Sequence, residues 1–213
     1  MGLFKRARGA ADDGLPRRLH IGCGQQSIPG WINIDNQGLP GVDQVLDVRH
    51  GLPFRGVAAI YAEHFLEHLS LEEGLAFLHE CRRVLAPEGT LRLSTPNLDW
   101  VVLTHYHGPA LPENQARVDC FRLNRAFHGW GHQFLYNATT LASALRAAGF
   151  ERIEPCRYGE SGLPELAGLE RHEKSEDTPD LPHVLIVEAS GSAAPVPIPE
   201  DLVREFREAV AAR

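Results

Sequence analysis

Gly22-Cys23-Gly24 closes the short apolar run Leu19-His-Ile21, and Asp35 closes a second one, Trp31-Ile-Asn-Ile34. Glycine lets a backbone approach a ligand with no Cβ in the way. An acid at the end of the next strand is where an open α/β sheet holds a ribose. The pair predicts a nucleotide pocket. The tripeptide alone also fits a plain tight turn, so its position at the end of the first strand carries the inference. A dinucleotide fingerprint fits poorly, because the next glycine is Gly30 and Asp35 comes too early. A Walker loop is excluded because no Gly-Lys-Ser/Thr occurs.

Two further groups carry potential chemistry. His64-Phe-Leu-Glu67-His68 matches H-x-x-E-H, the inverted zinc-peptidase pattern. On a helix, His64 and His68 would share a face and hold zinc, which makes a zinc hydrolase the rival reading. Against it, the motif begins directly after a buried strand. Residues 97–136 hold His105, His107, His128, His132, Tyr106, Tyr136 and Trp130. Histidine titrates near neutral pH, so His132 is the first choice for a general base and His128 the second. Each also reads as a surface or packing residue. Glu165, Glu170, Arg171 and Lys174 read as a solvated charged loop.

These residues need a scaffold. Strands are predicted at about 18–22, 31–35, 42–47, 57–62, 90–94, 150–158 and 183–188. The fourth, Val57-Ala-Ala-Ile-Tyr-Ala62, is apolar throughout, as a strand covered on both faces should be. Only six residues separate Gly24 from Trp31, too few for the usual crossover of a dozen or more. The first crossover helix is therefore reduced to a turn, or partly supplied by the leader at 1–17. Ser70 and Glu73 form a capping box, and Leu71, Leu75, Leu78, Cys81 and Leu85 follow at helical spacing. A shorter helix is expected at about 113–126. Asn137 caps another that Gly149 ends. Forty weakly patterned residues at 97–136 predict a lid or binding segment. Residues 191–213 read as a Pro/Ala/Ser linker and an amphipathic helix carrying Leu202, Val203, Phe206 and Val210 on one side.

The totals bound the class. A chain of 213 residues, 43% hydrophobic and 23% charged, suits one globular domain. A net charge of −7 argues against nucleic acid as a partner. Cys23, Cys81, Cys120 and Cys156 form no C-x-x-C pair, the pattern of reduced thiols. No apolar run reaches the ~18 residues of a membrane helix, so no membrane insertion is expected. Arg6 stands where myristoylation prefers Ser or Thr, and no signal-peptide core is present. The expected compartment is the cytoplasm.

Taken in order, these motifs resemble the class I S-adenosylmethionine-dependent methyltransferases. The resemblance rests on Leu19-His-Ile-Gly-Cys-Gly24, Asp35, Leu46-Asp-Val48, Phe65-Leu-Glu-His-Leu69 and Leu85-Ala-Pro-Glu-Gly89, with Ala148-Gly-Phe150 later. It covers residues 18–96 closely. It implies a Rossmann-like, doubly wound, mostly parallel seven-stranded sheet with antiparallel C-terminal edge strands, spanning residues 18–190. It implies S-adenosylmethionine as cofactor and a small-molecule acceptor, a sugar or metabolite oxygen or nitrogen. Gly22, Cys23 and Gly24 would pass under the methionine part, and Asp35 would take the ribose hydroxyls. Asp47 or the Val48 backbone would meet the adenine amino group, and Glu63 and His64 would flank the sulfur. No metal is required, because the sulfonium is already an activated donor. The sequence departs at His20, where the family commonly has an acid, and at Gln26, where a third glycine is often found. His20 and the shortened crossover leave a non-catalytic protein that binds this cofactor as the alternative. The terminal helix could dock on its own domain or form a homodimer.

Overall fold

The computed structural model describes residues 17–171, 181–191 and 200–211. Residues 1–16 of the leader expected at 1–17, residues 192–199 of the linker, and Lys174 lie outside these residues. In chain order the elements are β1 (Arg18–Ile21), β2 (Ile32–Asp35), β3 (Gln44–Val45), β4 (Val57–Glu63), α1 (Leu71–Val84), β5 (Leu85–Pro96) and α2 (Leu98–His105). Then come α3 (Glu113–His128), α4 (Ala138–Ala147), β6 (Arg152–Pro155), β7 (Val184–Ser190) and α5 (Glu200–Ala211). The sheet has seven strands in the order β3-β2-β1-β4-β5-β7-β6. β7 runs antiparallel to both of its neighbours, β5 and β6, and the remaining pairings are parallel. Strand order reverses between β1 and β4, which opens a crevice at their carboxyl ends, the usual ligand position in an open sheet.

Side chains alternate across each strand, and the two faces are covered differently. Leu19 and Ile21 of β1, Ile60 and Ala62 of β4, and Leu91 and Leu93 of β5 join the main core. α1 supplies Leu71, Leu75, Leu78 and Cys81 to that core, and α4 supplies Leu141, Ala144 and Leu145. The capping box that starts α1 is complete: the Ser70 hydroxyl accepts from Glu73 N, and Glu73 accepts from Ser70 N. Asn137 caps α4 by accepting from Thr140 N. Two partly buried residues of α5, Leu202 and Val203, pack on the same core. Its Phe206 meets Phe134 edge-on, and Arg207 pairs with Glu72. The terminal helix therefore docks on its own domain.

The opposite face carries His20, Tyr61 and Arg92. Its apolar cluster joins Ala59 and Tyr61 to Ile28 and Trp31 of the first crossover and to Leu166 and Leu169. Segment 156–171 is thus a cover for the sheet, and not the exposed loop its charge predicts. Glu170 corrects that reading most directly. It is buried and pairs with the fully buried Arg92 at 2.6 Å, while Glu188 takes the same guanidinium at 2.6 Å.

The six-residue first crossover folds without a helix because Asn33 supplies the missing hydrogen bonds. Its side-chain amide donates to the carbonyls of Ile28 and Trp31 and to Asp43, and its oxygen accepts from Ile28 N. His20 donates from Nδ1 to that same oxygen at 3.1 Å and packs against Tyr61. Burial pushes the His20 pKa below its ordinary 6.5, against the opposing pull of Asn33. Folding therefore disfavours the imidazolium, so this contribution to stability is complete above pH 6.5 and declines as pH falls through it. Chemical denaturation at about pH 7 and about pH 5, either side of the ordinary histidine range, should show His20→Gln losing less stability over that interval than the parent. Equal losses would show that His20 remains uncharged or already solvated.

Candidate active site

β1 ends in two residues with left-handed backbone, Gly22 (φ +65°) and Gly24 (φ +53°), a conformation glycine adopts at little cost. A Cβ on Gly22 would lie 2.4 Å from Cδ2 of Phe65, so the turn after β1 is pressed against the turn after β4. A Cβ on Gly24 would meet nothing within 4 Å. That open space is where a ligand can lie on bare backbone. Cys23 between them is buried, and its amide donates to Ile34 O, joining the turn to β2. Burial and the charge of Asp35 push its thiol pKa up, so it is a packing residue and no nucleophile.

Asp35 ends β2 with both oxygens oriented. Gly24 N donates to Oδ2 at 2.9 Å, and Gln37 N donates to Oδ1 at 2.9 Å. A carboxylate oxygen has two lone pairs, so each still accepts from a ligand hydroxyl. Asp47 is placed differently. Arg49 grips it through Nε (2.9 Å) and Nη2 (2.7 Å), and Arg49 N also donates to it, capping the short 3₁₀ turn Val48–His50. The hydrogen bond from the guanidinium holds its pKa down to about 2. Val48 is buried beside it.

β4 ends at Glu63, which accepts from Arg171 N at 2.7 Å. His64 continues the ladder by donating its amide to Ser94 O at 3.0 Å, then turns sharply with φ +46°. Among the described residues it is the single non-glycine with positive φ, a strained backbone of the kind found at functional sites. The following residues 66–68 form a 3₁₀ turn. The H-x-x-E-H helix is therefore not formed, and His64 and His68 do not share a helical face. The zinc-peptidase reading fails on this geometry.

What this turn builds is a buried acid with fixed neighbours. Glu67 has no exposed side-chain surface; Oε1 contacts His64 Nδ1 at 2.9 Å and Oε2 accepts from Thr95 at 3.1 Å. Burial alone would lower the His64 pKa, but the hydrogen bond and charge of Glu67, with Glu63, raise it above the ordinary value. Segment 132–134 is clipped onto the same turn. Gln133 N and Phe134 N donate to Glu67 O, and Gln133 Nε2 donates to His68 O. The clip brings the rings of His132 and His68 to 5.2 Å. His132 donates from Nδ1 to Ala126 O at 2.7 Å, which leaves the Nε2 lone pair for other chemistry.

A cavity of about 930 Å³ opens here, between the ends of β4 and β5 below and helices α2 and α3 above. His64, Glu67, His68 and His132 line one side, and Trp100, His105, Arg122, Arg125, Trp130 and His183 are among the others. Segment 97–136 thus covers a pocket. Sequence reasoning placed His132 here, whereas His128 sits on the exposed end of α3 and is not among the cavity-lining residues. It missed α2, although Asn97 caps that helix by accepting from Asp99 N. It also missed Arg122 and Arg125, whose i, i+3 spacing puts both on one face of α3. Tyr136 is a core residue, the packing role the sequence also allowed it.

No family model matches the sequence, and no curated protein matches it. Solved structures do match. The apo form of the S-adenosylmethionine-dependent methyltransferase SibL superposes with a TM-score of 0.52 at 15% identity, over 86% of this chain and 53% of that one. The present chain thus spans about half the length of SibL. A SAM-dependent methyltransferase from Archaeoglobus fulgidus superposes with a TM-score of 0.51 at 17% identity, over 83% of this chain and 86% of that one. With the strand order, the antiparallel β7 and the glycine turn at the switch point, the chain has the fold of the class I S-adenosylmethionine-dependent methyltransferases.

Proposed function

We propose that the chain moves a methyl group from S-adenosylmethionine to a small-molecule acceptor, a sugar or metabolite hydroxyl or amine, held in the cavity beneath residues 97–136. One observation carries this reading. The cavity begins at His64, directly after β4, while the open glycine turn and the oriented Asp35 lie at the ends of β1 and β2. A ligand laid across the three strand ends would present its reactive end to the cavity. The residues fit the cofactor: Gly22 and Gly24 would underlie its methionine part and Asp35 would take the ribose hydroxyls. The grip of Arg49 on Asp47 favours the Val48 backbone for the adenine amino group. The sulfonium supplies an activated methyl. The chain's own residues then have to exclude water, aim the acceptor in line behind that methyl and handle its proton. Trp100 and Trp130 offer ring surface in the cavity, and His132, which also lines it, would take the acceptor's proton at Nε2.

Calorimetry with S-adenosylhomocysteine tests the reading. The folded protein should bind it, and Asp35→Ala should weaken binding by about 1.5–3 kcal/mol, the scale of a charge-assisted hydrogen bond, or roughly ten- to a hundred-fold. Unchanged affinity would place the ribose elsewhere. Binding with no radiolabelled methyl transferred to any of a broad panel of hydroxyl and amine acceptors would mark a non-catalytic binding protein.

A further inference from the structure

Glu67, His68 and His132 offer one ligand atom each, and these atoms all lie within 4.8 Å of one another. We propose that they hold a divalent transition-metal cation, and that the ion binds and activates a hydroxyl acceptor at an open coordination position. The inference rests on the methyltransferase reading for what the ion does, though not for whether it binds.

Two imidazoles and one carboxylate are the donor set of catalytic zinc sites and of ferrous facial triads. Both site types leave positions open to water or substrate. Ligand atoms at about 2.0–2.1 Å from such an ion lie roughly 3.4 Å from one another, so small rotations of two half-buried histidines would complete the set. The surroundings are those a metal site needs. Glu67 is fully buried, and burial of a carboxylate is costly unless its charge is met. Its oxygens are oriented by His64 and Thr95. His132 gives Nδ1–H to a backbone carbonyl, the contact that turns Nε2 toward a metal. Three hydrogen bonds clip segment 132–134 to residues 67 and 68, so a ligand far downstream in the chain is fixed by backbone. The set also faces the acceptor cavity, which all three residues line.

The sulfonium chemistry itself needs no ion, so the role falls on the acceptor. Coordination lowers the pKa of the hydroxyl, and its proton is released to solvent. The acceptor oxygen then bonds the methyl carbon while the carbon–sulfur bond breaks and its electron pair stays on sulfur. His132 would thus act as a ligand, in place of taking the proton directly.

The test uses the untagged 213-residue chain, stripped with a chelator and titrated with Co²⁺, followed by Zn²⁺ in equilibrium dialysis. One equivalent of Co²⁺ should bind and give visible ligand-field bands, which Zn²⁺ abolishes. His132→Ala should remove the bands, and Thr95→Val should weaken Zn²⁺ binding about 10- to 100-fold, as loss of an orienting contact does. His79→Ala, on α1, should change neither. Thermal melts confirm that each variant is folded. Binding no tighter than in His132→Ala, in folded protein that still binds S-adenosylhomocysteine, would overturn the metal site and leave the methyltransferase reading intact. Metal binding without affinity for S-adenosylhomocysteine would do the reverse.

Discussion

Arg92→Leu should cost about 3–5 kcal/mol of folding stability, a large share of the total that a domain of this size possesses. Arg92 is fully buried, with Glu170 and Glu188 each at 2.6 Å. Removing the guanidinium leaves two carboxylates in a low-dielectric layer with no counter-charge. The loss comes chiefly from that desolvated charge and less from the pairs themselves. Breaking a buried pair is strongly destabilising even when replacing it whole is nearly neutral. Urea denaturation should therefore show Arg92→Leu/Glu170→Gln recovering part of the lost stability. A single variant within about 1 kcal/mol of the parent, the range of an exposed pair, would mean that segment 156–171 is detached in solution.

Gly22→Ala should follow, at about 2–5 kcal/mol, from two independent penalties. A residue with a Cβ loses about 1–2 kcal/mol in the left-handed conformation, and overpacking adds about 1–3 kcal/mol. The second penalty arises because the new methyl would sit 2.4 Å from Phe65. Gly24→Ala separates the two. Its φ is also positive, but nothing lies within 4 Å, so it should show only the backbone penalty in stability. Phe65→Leu should partly rescue Gly22→Ala and leave Gly24→Ala unchanged in a double-mutant cycle. Equal stability losses for the two alanines would show that Phe65 does not pack on the turn.

Most of the sheet was legible because its strands are apolar runs bounded by glycine and proline, and because α1 and α4 carry explicit caps. The third strand was overread. Val42–Asp47 has the pattern of a full strand, yet only Gln44 and Val45 pair, since an edge beside β2 needs no more. The site split along the same line. Gly22, Gly24 and Asp35 are local signals, each set by one strand end. The Glu67, His68 and His132 constellation is nonlocal, because it depends on Gln133 reaching across 65 residues to His68. No spacing rule contains that contact. The role of Glu170 was hidden for a similar reason: a glutamate in a charged, glycine-rich stretch gives no sign that an arginine 78 residues away will draw it under the sheet.

That covering segment has a consequence for how the molecule can vary. Within the stretch that shields the sheet, Arg171 gives its amide to Glu63, the residue directly before the cavity-lining His64. Shelter for the sheet and shape at the pocket's threshold therefore share one anchor. An insertion or deletion between residues 156 and 171 would shift both together, so this side of the molecule is poorly suited to the length changes that surface connections usually tolerate.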